Sequence, residues 1–130
     1  MPIRYMIIDD EPIAHRIIED YCAEMANLAL VNNSYHALAA LEYLHSNSVD
    51  LIFLDIGMPK LDGLEVLRRL KASPLTASLT CIALSANAMP EDIRSALALG
   101  FDDYWTKPID IQAVTTTLRG LASSSDNRQP

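Results

Sequence analysis

Asp9 and Asp10 stand side by side at the end of an apolar run that opens at Ile3. Asp55 ends a second apolar run, Ser85 a third, and Lys107 with Pro108 follows a fourth. An apolar run has no packing reason to finish in two consecutive carboxylic acids. Carboxylates brought together disfavour one another's ionisation, and a divalent cation removes that repulsion. Oxygen donors with positions left open for water suit Mg²⁺. A cation also lets an acidic pocket hold a phosphoryl group, because it neutralises charge at the transferring phosphorus. An ammonium such as Lys107 and a hydroxyl such as Ser85 supply the remaining contacts to phosphoryl oxygens. A carboxylate can itself be the nucleophile, giving an aspartyl phosphate. Asp55 stands alone at its run's end with glycine two residues on, so it is the approachable candidate.

These residues meet only if the runs that carry them lie side by side. Five short apolar runs are read as strands: Ile3–Ile8, Leu28–Asn32, Leu51–Leu54, Thr80–Leu84 and Asp103–Thr106. Most are rich in Ile, Leu and Val without polar alternation, as in a parallel sheet covered on both faces. Helical patterns alternate with them. The first opens at Asp10-Glu11-Pro12, where an acid can cap free N–H groups and proline suits the first turn; Ile13, Ile17 and Tyr21 then recur at spacing four. The second runs from about Tyr35 to His45 with Leu38, Leu41 and Leu44 on one side. The third starts near Asp62-Gly63, carries Leu64, Leu67 and Leu70, and stops before Pro74. The fourth starts near Met89-Pro90, shows Ile93 and Leu97, and ends at Gly100, a favoured stop. The fifth carries Ile111, Val114, Leu118 and Leu121. Such alternation predicts an α/β fold, a doubly wound five-stranded parallel sheet with five helices. One such topology is the flavodoxin-like order 2-1-3-4-5, whose ligand site lies beyond the carboxyl ends of strands 1 and 3.

Composition narrows the function classes. The 130 residues fit one domain, and half of them are hydrophobic, enough for one core. With 17 acidic and 10 basic side chains the formal charge is −7, a poor match to a nucleic-acid backbone. Direct nucleic-acid binding and a membrane span are therefore not expected. Cys22 and Cys81 read as two buried thiols of a reducing, cytoplasmic protein. Met1 reads as a natural N-terminus. Residues 1–122 are expected to form the domain, with Ser123–Pro130 a flexible tail or the start of a linker. His15, His36 and His45 show no ligand spacing and read as surface or helix residues, Trp105 as a core or rim aromatic, and Met58 and Met89 as packing or loop residues.

Four segments in order, IIDDEP (Ile7–Pro12), LIFLDIGMPKLDGLEVL (Leu51–Leu67), IALSANAMPED (Ile82–Asp92) and GFDDYWTKPID (Gly100–Asp110), resemble the receiver domains of two-component signalling, over roughly Ile3 to Leu121. The resemblance implies the CheY-like fold and a set of roles. Asp55 matches the phosphoacceptor, Asp10 the direct metal ligand, and Asp9 the acid that holds the metal largely through water. The Gly57 backbone carbonyl matches a further ligand. Ser85 matches the switch hydroxyl, Lys107 the family's lysine, and Tyr104 the switch aromatic. Pro59 and Gly63 match the loop after strand 3, and Lys107–Pro108 a bond that is usually cis. Gly57 and Asn87 occupy positions that tune the phosphoryl lifetime, and Gly57 is expected to leave the site open to water and small phosphodonors. The implied cofactor is Mg²⁺ or Mn²⁺. The implied partner is a sensor histidine kinase or a histidine phosphotransfer domain, with a downstream protein or a second copy engaging the surface of helix 4, strand 5 and helix 5. The chain would then catalyse its own phosphorylation and dephosphorylation without being a conventional enzyme.

Three other readings use parts of the same evidence. A haloacid-dehalogenase-type phosphatase also uses an aspartate and Mg²⁺ but wants D-x-D after strand 1, and here the run is Asp9, Asp10, Glu11. A carrier of flavin mononucleotide needs a phosphate loop where this chain has acids. A degenerate receiver acting as an interaction module would not need the chemical positions, and all of them are filled.

Overall fold

A computed structural model describes residues 2–25, 27–57 and 63–109, together with 112, 116, 119 and 120. Five strands, β1 (Ile3–Ile8), β2 (Leu28–Ser34), β3 (Leu51–Asp55), β4 (Thr80–Ser85) and β5 (Asp103–Thr106), form one sheet in the order β2-β1-β3-β4-β5. All neighbours are parallel. The helices between them are α1 (Pro12–Ala23), α2 (Ala37–Ser46), α3 (Gly63–Ala72) and α4 (Pro90–Leu99). This is the flavodoxin-like order expected from the sequence. Residues 112, 116, 119 and 120 are helical; the rest of the expected fifth helix and the 123–130 tail lie outside the described residues. The same holds for Met58, Pro59 and Asp62.

Alternation along β1, β3 and β4 sends successive side chains to opposite faces. Met6, Ile8, Ile52, Leu54, Cys81 and Ala83 pack on one side with Ala40, Leu44, Val66, Leu67, Leu70 and Ala96. Tyr5, Ile7, Leu51, Phe53, Ile82, Leu84 and Trp105 pack on the other with Ile18 and Cys22. Trp105 is thus a core residue, stacked at a tilt 5.2 Å from Phe53. Both cysteines are buried and free. Burial pushes the Cys22 thiol up to about 11 and the Cys81 thiol up to about 12.

Two helices present a different face from the one their large residues predict. In α1, Ile13 is 72% exposed, and the buried line is Ala14, His15, Ile18 and Cys22. In α2, Leu38 is exposed and Ala37, Ala40 and Leu44 are buried. Alanines take part of each buried line, and the longer Ile13 and Leu38 face solvent. In α4 only Ala96 is buried, while Leu97 is exposed. Of the histidines, His15 is a helix residue as expected but is buried, whereas His36 caps α2 by accepting from the Ala39 N–H and His45 is exposed. The expected acidic cap of α1 is also absent. Glu11 is the N-cap residue without a capping hydrogen bond from its side chain, and Pro12 takes the first helical position. Gly100 ends α4 as expected, at φ +123°.

The start of α3 lies against the end of β3, and Gly63 makes that possible. A Cβ there would sit 2.4 Å from the Asp55 carbonyl oxygen and 2.6 Å from Ile56 Cα. Backbone cannot yield to such a contact without moving the strand end. Gly63→Ala is expected to destabilise the fold by about 1–3 kcal/mol, the usual range for overpacking. A thermal melt checks this; an unchanged melting temperature would contradict the close approach.

Candidate functional site

The carboxyl ends of β1 and β3 are neighbours in the sheet, with Ile8 opposite Leu54. The residues that follow therefore meet. Asp9 lies one residue past β1, and Asp55 is the last residue of β3. Ligand oxygens of Asp9, Asp10, Glu11 and Asp55 all lie within 4.8 Å of one another. Asp9 and Asp55 are buried, while Asp10 and Glu11 face solvent.

Each buried acid is held at one oxygen. Asp9 Oδ1 accepts from the Glu11 N–H at 2.8 Å. Asp55 Oδ1 accepts from the Gly57 N–H at 2.9 Å. Their second oxygens face Lys107, whose Nζ is 2.9 Å from Asp9 Oδ2 and 3.8 Å from Asp55 Oδ2. The same ammonium donates to Glu11 Oε1. Fully buried Asp9 Oδ2 is reached by Lys107 at ion-pair distance and has no further hydrogen-bond partner among the described residues. Burial alone would lower the lysine's pKa; the Glu11 and Asp9 carboxylates outweigh it and raise the pKa. Asp55 is pushed up to about 6, first by burial and further by the Asp9 charge and by contact with Asp10, against the Gly57 hydrogen bond and Lys107.

Among the described residues, one ammonium against four carboxylates leaves the pocket short of positive charge. The donors are all oxygens, and the Lys107 ammonium is shared among three of the four acids. Such a donor set fits a hard divalent cation.

A cleft of about 230 Å³ adjoins this pocket, lined by Gly57, Ser85, Asn87, Ala96 and Tyr104 among others. Ser85 ends β4, and its Oγ accepts from the Asn87 N–H at 3.0 Å. The Asn87 side chain accepts from the Met89 N–H and donates to Asp92. Tyr104 donates its hydroxyl proton to the Asn87 carbonyl at 2.7 Å. The Lys107 N–H binds the Ser85 carbonyl, which aligns the ends of β4 and β5. The Lys107–Pro108 peptide is cis. The sequence-selected residues thus form two adjoining groups: Asp9, Asp10, Asp55 and Lys107 in the acidic pocket, and Ser85, Asn87 and Tyr104 at the cleft. Gly57 touches both.

The family described as response regulator receiver domain matches residues 5–119. The chain belongs to this family. It is 34% identical over 105 residues to an uncharacterised 14.6 kDa protein of Leptolyngbya boryana, covering 81% of this chain and 79% of that one. It is also 34% identical over 132 residues to the sensor histidine kinase GacS of Pseudomonas protegens. There the match covers 98% of this chain and 14% of the kinase. The receiver domain of the Francisella response regulator 1452 superposes with a TM-score of 0.82 at 26% identity, over 95% of this chain and 98% of that one. This is therefore a receiver domain of two-component systems, and no helix among its described residues is long and apolar enough to cross a membrane.

Two contacts of this receiver domain escaped sequence reasoning. Glu11 was legible only as part of an acidic run, and its partner Lys107 is far away in the chain. His15, which gave no motif signal, is hydrogen-bonded to the Asp9 carbonyl at 2.8 Å.

A raised carboxyl pKa means that the folded chain binds the Asp55 proton more tightly than the unfolded chain. Stability should then fall as pH rises from the unfolded value near 4 to about 6. In chelator, the native protein is expected to lose on the order of 1–3 kcal/mol across that window relative to Asp55→Asn. Denaturant melts at both ends of the window check this, and parallel pH profiles for the two proteins would contradict it.

Proposed function

We propose that this receiver domain accepts a phosphoryl group on Asp55, with Mg²⁺ held by Asp9, Asp10, Asp55 and the backbone carbonyl of Gly57. The observation that carries the reading is the convergence of three aspartates and one lysine at the ends of β1, β3 and β5. Mn²⁺ would satisfy the same donors. When bound, the cation would neutralise negative charge on the carboxylates and on the arriving phosphoryl group.

The protein's own groups do the rest. Gly57 holds Asp55 Oδ1, which leaves Oδ2 as the attacking oxygen. Its lone pair forms the new O–P bond as the P–N bond to a donor phosphohistidine breaks, and the imidazole leaves. Lys107 stands 3.8 Å from that oxygen and can pass from Glu11 to a phosphoryl oxygen as charge arrives. Among the described residues the Ser85 Oγ serves as an acceptor from Asn87, so its proton is available to a phosphoryl oxygen. Movement of Ser85 toward the phosphoryl group would enlarge the neighbouring cleft and free Tyr104 to enter it. The surface of α4, β5 and the fifth helical segment would change with it, as a local charge change biases a two-state element.

Gly57 and Asn87 both line the cleft beside the acidic pocket, and they are the residues that would set the phosphoryl lifetime. A Cβ at Gly57 would stand 3.5 Å from Asp55 Oδ1, an ordinary contact, so the backbone does not demand glycine there. The phosphodonor is a sensor histidine kinase or a histidine phosphotransfer domain. The output partner is a downstream protein or a second copy at the switch surface.

Intact-mass measurement after incubation with acetyl phosphate and Mg²⁺ tests the reading. One acid-stable, base-labile phosphoryl adduct is expected, absent in Asp55→Ala and absent without the metal. No adduct from acetyl phosphate or from a phosphohistidine donor would leave an interaction module in place of a phosphoacceptor.

A further inference from the structure

His15 interrupts an otherwise apolar buried line on α1, between Ala14 and Ile18. It is 2% exposed, and burying an imidazole is unfavourable unless its nitrogens find partners. Both face an oxygen. Nε2 donates to the Asp9 carbonyl at 2.8 Å, since a carbonyl can only accept. Nδ1 lies 2.6 Å from the Asn33 side-chain amide oxygen, also an acceptor, so that contact is a hydrogen bond only when Nδ1 carries a proton as well, and Asn33 Nδ2 extends toward Glu19 at 3.4 Å. The ring stacks on Tyr35 with centroids 4.2 Å apart.

The sheet is irregular where this contact forms. Tyr5 pairs with Leu30, but Met6 pairs with Asn32, so Val31 is an extra residue in β2. Beyond it Asn33 pairs with Ile7, whose side chain belongs to the core layer under α1. Without the extra residue Asn33 would pair with Ile8, which faces the opposite layer. A one-residue change of register moves a side chain to the other face. Bulges of this kind re-aim side chains next to sites. The irregularity in β2 is therefore what brings Asn33 to His15.

The contact falls on the peptide that joins Asp9 to Asp10. That peptide is planar, so holding its oxygen fixes the direction in which the chain leaves toward Asp10. The Asp9 N–H is held as well, by the Ser34 carbonyl at 3.1 Å, again from the part of β2 beyond Val31. We propose that His15 is a positioning residue, whose Nε2–H on the Asp9 carbonyl aims the Asp9 and Asp10 carboxylates at the cation site. The proposal rests on the reading of Asp9 and Asp10 as Mg²⁺ ligands. Groups that orient metal ligands in this way are typically worth 10–100-fold in affinity.

Calorimetric titration of the full chain with MgCl₂ tests it, beside thermal melts in chelator that report the fold alone. His15→Leu keeps the volume and removes the donor; it is expected to weaken Mg²⁺ about ten-fold. His15→Gln restores a donor near the Nε2 position and is expected to recover most of the affinity. Native affinity in His15→Leu would overturn the proposal, as would equal loss in the Leu and Gln variants, because shape rather than the hydrogen bond would then be responsible. If His15→Leu fails to fold, Asn33→Ala carries the test. Weakened Mg²⁺ binding with an unchanged melt in chelator supports the proposal, and unchanged binding overturns it. A native protein that takes up no Mg²⁺ removes the metal reading itself, an outcome distinct from native uptake that the His15 variants leave intact.

Discussion

Among the described residues, four carboxylates share one end of the sheet with a single ammonium, and two of the acids are buried. The arrangement is unfavourable by itself, because burial and mutual repulsion both oppose ionisation. Much of the local structure serves to hold it. The Gly57 N–H and the Glu11 N–H each fix one oxygen of a buried acid. Lys107 is drawn between Asp9, Glu11 and Asp55. Gly63 lets α3 begin against the Asp55 peptide. The raised pKa of Asp55 comes first from its burial and further from the neighbouring Asp9 charge.

The sheet supplies the rigidity this needs. β1, β3 and β4 are buried on both faces, and their ends cannot spread to relieve the repulsion. The less constrained parts lie beside the pocket. Ser85, Asn87 and Tyr104 are tied to one another by hydrogen bonds around an open cleft, and α4 has only Ala96 buried. Charge is therefore concentrated at the rigid edge, and the groups able to respond to it sit on the weakly packed side.

The strands were legible because parallel strands covered on both faces read as continuous apolar runs, and Asp9, Asp10, Asp55 and Lys107 followed from the ends of those runs. The expected bounds match β1 and β5, fall one residue short in β3 and β4, which run on to Asp55 and Ser85, and stop β2 two residues early, since Asn33 and Ser34 are polar. Helix faces were less legible. Counting large apolar residues put Ile13 and Leu38 inward, whereas both face solvent and alanines take part of each buried line. The extra residue at Val31 leaves no mark in the sequence, and with it the environment of His15 was hidden. A lone histidine on a helix carries no signal of its own; its role depends on a register shift in another strand. Glu11 was obscure for a related reason, since its partner is fixed by topology and not by spacing.

The most direct test of the charge-deficient pocket is the melting temperature as Mg²⁺ is raised into the millimolar range, for the native protein and Asp10→Asn. A cation that binds only the folded chain stabilises it by mass action, about 2.7 kcal/mol at one hundred times the dissociation constant. The account predicts a rise of several degrees in the native protein and loss of most of that rise in Asp10→Asn. No rise in the native protein, or the same rise in both, would contradict it.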